Sequence, residues 1–163
     1  MDDGRPGQEQ RDESAAERLD RNFAELLQEL RVAQTGVQIL FAFLLTLAFT
    51  DRFGHLTTPQ RAAYVVALLA TALAAALLIA PVSYHRLLFR RHRKDELVRA
   101  AARFAVGGLF LVLVGVSAAV LLITDVVFGP IPAIIITALV VIWYGTFWYA
   151  LPMWSLARER RSG

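Results

Sequence analysis

Two small sets of polar residues interrupt an otherwise apolar chain of 163 residues, and their types and spacing bound the chemistry on offer. Arg31, Gln34 and Gln38 stand three and four apart, so a helix would carry them on one face. An arginine can extend its methylene stem and keep its charge among lipid headgroups. Carboxamides have no such reach and need hydrogen-bond partners inside a bundle. The plain reading is glue between helices; the sharper one is a polar entrance facing a cavity or a partner.

Asp51 and Asp125 form the second set, the acids adjoining the apolar stretches. Each is expected to follow a helix C-terminus, where the helix dipole disfavours negative charge. A cation held between them at the outer boundary, Na+ or H+, would relieve that. The plain alternative is two carboxylates solvated by water, since acids deep in the membrane are the usual functional suspects.

Other chemistry is narrower still. With no cysteine there is no disulfide, thiolate metal site or cysteine nucleophile. His85 and His92 stand seven apart without a matched carboxylate pair, and His55 lies elsewhere, so no zinc pattern is formed. No nucleophile elbow, P-loop, dinucleotide fingerprint or zinc-protease motif occurs. The expectation is a protein that is not an enzyme, with no metal, no cofactor and no nucleic-acid partner.

The elements that must position these residues are membrane helices. Residues 32–50, 62–84, 104–124 and 131–151 are apolar and contain no acidic, basic or histidine side chain. About 20 such residues, at about 1.5 Å each, span the hydrocarbon core of a bilayer. Mean hydropathy is +0.49, too apolar for a soluble domain of this size to cover its core. The fold class is therefore all-α: a polytopic membrane protein with four transmembrane helices arranged as two hairpins and an amphipathic N-terminal cytoplasmic helix.

Charge orients it. Residues 1–31 hold five Arg against nine Asp and Glu, while residues 85–103 hold Arg86, Arg90, Arg91, Arg93, Lys94, Arg99 and Arg103 against Asp95 and Glu96. With the tail's Arg158, Arg160 and Arg161, the segments on one side carry fifteen of the seventeen basic residues. By the excess of basic residues in cytoplasmic loops, both termini face the cytoplasm and the chain is a multi-pass protein of the cell membrane. The acidic arm rules out the pattern of a cleaved signal peptide or a mitochondrial presequence. The arm's Glu17, Asp20, Glu25 and Glu29 are expected to dock over the basic loop.

Local signals divide the chain into a disordered acidic arm (1–13), an amphipathic helix (14–31), the transmembrane domain (32–154) and a basic tail (155–163). Leu19, Phe23, Leu26, Leu27 and Leu30 make one helical face that runs without a proline into the first span, with a bend expected near Gly36. Thr57-Thr58-Pro59-Gln60 reads as a helix start: Thr57 the N-cap, Gln60 in the capping-box position. Beyond Pro81 the pattern of Tyr84, Leu87, Leu88 and Arg91 continues the second helix into the basic loop. Small residues in the second and third spans, among them Ala67, Thr71, Gly108 and Gly115, predict close helix packing. Trp148, Tyr149 and Trp154 predict an interfacial belt, with an aromatic cage for a cation as the alternative. Residues 47–54 and 122–129 share Thr-Asp and Phe-Gly at matched positions, which points to two hairpins related as parallel repeats about an axis along the membrane normal.

The run from Arg21 to Thr46 (RNFAELLQELRVAQTGVQILFAFLLT), with the His-Arg-x-Leu-Phe-Arg-Arg stretch at His85–Arg91, resembles an actinobacterial membrane-protein family catalogued as domain of unknown function 6328. The resemblance extends from about Leu19 to Leu151 and implies a four-span protein of the cell membrane. It supplies no catalytic or ion-binding residues. Members often carry a sodium:proton antiporter label, which makes a small secondary transporter one reading. Proton-coupled exchange, however, ordinarily needs a titratable group within the membrane, and these spans have none. The residues favour a small scaffold or interaction protein, partnered by the lipid bilayer and by a second copy or another membrane protein.

Overall fold

The protein is described by a computed structural model over residues 15–88, 94–151, 153–154 and 157–158. Five α-helices follow one another: α1 (Ala15–Ala48), α2 (Asp51–Gly54), α3 (Thr58–Leu88), α4 (Lys94–Phe128) and α5 (Pro130–Gly145). A π-helical turn, Thr146–Ala150, extends α5. Among the described residues, four stretches are long and apolar enough to cross a membrane: Leu27–Ala48, Thr58–Val82, Ala100–Phe128 and Pro130–Ala150. The expected all-α, four-span architecture is the one found.

Helix α1 is continuous, as its uninterrupted pattern of helix formers predicts. Its 34 residues reach about 50 Å, well beyond the roughly 30 Å hydrocarbon core. Its packed face follows Leu30, Ala33, Val37, Leu40, Leu44 and Leu47, alternating steps of three and four residues. At the start of α3, Gln60 Oε1 accepts from the Thr57 N–H at 3.0 Å, the predicted capping-box contact. Pro81 lies inside α3, which nevertheless continues to Leu88. Gly129 adopts φ +85°, a conformation that favours glycine, and allows α5 to begin one residue after α4 ends.

The core of the assembly is the antiparallel pair α3 and α4, which makes the most extensive contact. Gly108 and Gly115 lie one heptad apart and face Leu78 and Thr71, also one heptad apart. A Cβ added at Gly115 would stand 2.7 Å from Thr71 Oγ1, and one at Gly108 would stand 2.8 Å from Leu78 Cδ2. Small residues let the two backbones approach, and dispersion contacts then hold helices that hydrophobicity alone cannot sort inside lipid. Helix α1 packs on α3, with a minor contact to α4. Its Leu44 carbonyl accepts a 3.0 Å buried hydrogen bond from the Tyr64 hydroxyl, and Phe53 stands edge-on to the Tyr64 ring at 4.9 Å.

Among the described residues, α5 makes close backbone contact only with α4 and its own extension, and Ala133 is its one buried residue. The spans thus form an open row, α1–α3–α4–α5, rather than a closed bundle. This departs from the expected parallel repeat. A two-fold along the membrane normal would carry the α3–α4 contact onto an α5–α1 contact, and the described residues make none. The matched Thr-Asp and Phe-Gly residues also lie in unlike connections. The first holds the separate helix α2; the second is Gly129 alone.

Candidate functional site

The polar groups of the spans divide into those satisfied within their own helix and those that are not. Thr35, Thr46, Thr71, Thr124 and Thr146 each turn the hydroxyl back to a carbonyl four residues earlier. Such bonding removes the cost of a hydroxyl in hydrocarbon without a partner helix. Ser117 Oγ and Thr137 Oγ1 are the buried hydroxyls left unpaired among the described residues.

The amides of Gln34 and Gln38 make no hydrogen bond in the described structure. Gln34 is half-buried, while Arg31 and Gln38 are exposed. The packed face of α1 runs through Leu30, Val37 and Leu44, so Gln38 is turned away from α3. Arg31, Thr35, Gln38, Ala42 and Thr46 line the exposed side instead. Gln38 also lies near the middle of the candidate span Leu27–Ala48, deeper than a place at its entrance.

At the opposite end, where both hairpins turn, Gln60 joins two elements. Its Nε2 donates to Asp125 Oδ2 at 3.1 Å, while its Oε1 caps α3. Asp125 is half-buried and borders a crevice of about 180 Å³ whose other walls include Pro59, Ala63, Leu121 and Ile134. A larger hollow, about 310 Å³, lies on the other side of Gln60 and is lined by Arg52, His55, Leu56, Thr57 and Val126.

Asp51 follows the end of α1 at Ala48 as expected, whereas Asp125 does not follow a helix end. Thr50 is extended (φ −89°, ψ 150°), so the chain restarts a helix and Asp51 opens α2. Asp125 lies within the last turn of α4, because nothing interrupts that helix before Gly129. Asp51 is exposed and borders neither hollow. The described residues contain no group of three or more His, Cys, Asp or Glu side chains placed to hold a metal ion.

Of the basic loop, Arg90, Arg91 and Arg93 lie outside the described residues, as does the predicted disordered arm (1–13). Arg86 falls in α3, and Lys94 and Arg99 in α4. At the same end the aromatics pair along the chain: Trp143 with Phe147 at 4.8 Å, and Tyr144 with Trp148 at 4.8 Å. The Tyr149 hydroxyl reaches the Val106 carbonyl at 3.3 Å. Arg158 lies 4.3 Å from the centre of the Trp154 ring, so one cation–π contact is made within the chain itself.

Sequence reasoning assigned Gln60 only its cap and missed its bond to Asp125. It weighed His55 only for a zinc pattern and did not connect it with Arg52. Spacing offered no signal for the Gln60–Asp125 bond, because its partners come from different elements.

A family model covers residues 12–152, nearly the whole of the described chain. The chain belongs to a family of unknown function (DUF6328). The comparison thus agrees with the resemblance carried by Arg21–Thr46 and assigns the DUF6328 fold no reaction. No match was found among curated proteins, and none among solved structures.

Proposed function

We propose that this protein works as a membrane-embedded interaction module, with the exposed face of α1 receiving a transmembrane helix. One observation carries the reading: the Gln38 carboxamide is exposed in the middle of a candidate span and has no hydrogen-bond partner in the described structure. An unpaired amide in hydrocarbon is costly, and a facing helix relieves it. A carboxamide both donates and accepts, so a second copy presenting the same Gln38 satisfies it reciprocally. The open row of spans leaves that face uncovered. The excess of basic residues in the segments on one side supports a cytoplasmic position for both termini.

The chain has no cysteine, which makes the test direct. Single cysteines at Thr35 and Ala42, which flank Gln38 on the same face, should form disulfide-linked dimers in native membranes. Cysteines at Val37 and Leu44, on the packed face, should not. Equal crosslinking from both faces, or none from either, would sink the reading.

The crevice beside Asp125 favours a second reading, a small secondary transporter of Na+ or H+. It holds a half-buried carboxylate, restrained by Gln60, at a membrane boundary. In proteoliposomes, sodium-driven proton movement lost on Asp51→Asn with Asp125→Asn would support it. Flux unchanged in that double variant would exclude those carboxylates.

A further inference from the structure

The larger hollow has a lining that the interaction reading does not use. Arg52 and His55 are exposed and border the same space, and while the His55 backbone N–H donates to the Arg52 carbonyl at 3.1 Å, neither side chain makes a hydrogen bond or ion pair in the described structure. Arg61, by contrast, spends its guanidinium on the Gly54 carbonyl at 3.2 Å and holds the connection in place. Asp125, the neighbouring acid, has its Oδ2 bound to the Gln60 amide and lines the other crevice. The hollow is thus walled by uncommitted donors and is not neutralised by a lining carboxylate. Thr57, just before the 31-residue helix α3, and Gln60 in its first turn form one side, adding the positive end of a helix dipole.

We propose that this hollow is a phosphate site at the membrane surface. A guanidinium matches a phosphate with two parallel donors, and the His55 ring and Thr57 hydroxyl supply further N–H and O–H groups. Its volume of about 310 Å³ falls at the small end of ligand sites. Leu56 and Val126 give it an apolar flank. It lies between the end of the candidate span Leu27–Ala48 and the start of Thr58–Val82, which in a bilayer would set it at the level of the headgroups. Beyond Gln60 the apolar crevice of Ala63, Leu121, Leu122 and Ile134 offers a path for an acyl chain. A phospholipid therefore meets both halves, and a free phosphate ion meets only the first.

The test reads proximity rather than bulk affinity, because the basic loop at the other end also attracts anionic lipid. His85→Gln and His92→Gln leave His55 as the one imidazole of the three. Dephasing of its ¹⁵N signals by ³¹P is then measured in phosphatidylglycerol liposomes, and in liposomes of a phosphorus-free galactolipid with and without inorganic phosphate. The expected result is dephasing in phosphatidylglycerol that Arg52→Gln reduces to the phosphorus-free level and Arg52→Lys partly restores. Dephasing confined to the inorganic-phosphate sample supports the site and assigns it to a soluble ion. No dephasing in any sample, or dephasing indifferent to Arg52→Gln, overturns the proposal.

Discussion

The Gln60 amide donates to Asp125 Oδ2 at 3.1 Å, tying the first turn of α3 to the last turn of α4 across 65 residues. The same side chain caps its own helix at 3.0 Å, so one residue fixes both a helix start and an interhelical register. Gln60→Glu keeps the acceptor for Thr57 but sets a carboxylate against a carboxylate. A loss of about 1–2 kcal/mol is expected, and adding Asp125→Asn should restore most of it by reversing the donor and acceptor. Chemical unfolding in detergent of the two single variants and the double closes the cycle; strict additivity would show that the pair is not coupled.

Gly115 and Gly36 should respond oppositely to alanine. At Gly115 the new methyl meets Thr71 Oγ1 at 2.7 Å and the Thr71 backbone nitrogen at 3.4 Å, and Thr71 is itself held to the Ala67 carbonyl. Overpacking there should outweigh the gain of about 1 kcal/mol in helix propensity and destabilise by about 1–2 kcal/mol. Nothing stands within 4 Å of a Cβ at Gly36, so Gly36→Ala should stabilise by up to about 1 kcal/mol. Thermal denaturation of both variants ranks them, and a reversed order would contradict the α3–α4 contact.

Tyr64→Phe removes the hydroxyl that reaches the Leu44 carbonyl but keeps the ring against Phe53. The cost should be modest, about 0.6–1.5 kcal/mol, as for other hydrogen bonds between membrane helices. Faster hydrogen exchange in the second half of α1, with α4 unaffected, is the expected signature. Matching protection in the variant and the parent would remove this bond from the forces that seat α1 on α3.

Gln38→Leu makes the exposed face of α1 uniformly apolar. If paired amides hold two copies together, the dimer should weaken by about 0.6–2 kcal/mol, roughly three- to thirty-fold in its dissociation constant. Energy transfer between labelled copies, measured over a dilution series in lipid, gives the constant directly. An unchanged constant would move the interface elsewhere.

Much of this fold was legible in one dimension. Apolar runs of spanning length gave four helices, and the unbroken pattern expected from Ser14 onward matches a first helix, Ala15–Ala48, longer than a membrane span. Thr57 and Gln60 announced the start of α3, because a capping box is built from residues three apart. The Thr-Asp and Phe-Gly echo was misleading for the same local reason. Identical dipeptides do not fix whether a helix stops, and the two connections differ.

The sequence by itself determined solvent and secondary structure, since both depend on composition and periodicity within a few turns. Only the tertiary structure decided which faces meet: Gly115 against Thr71, Tyr64 beneath Leu44, Gln60 on Asp125, and Gln38 turned outward. The reason is that lipid makes every face of an apolar helix equally acceptable, so hydrophobicity cannot mark the buried side. Close packing and the pairing of the few polar atoms make that choice, and their partners lie up to 65 residues apart.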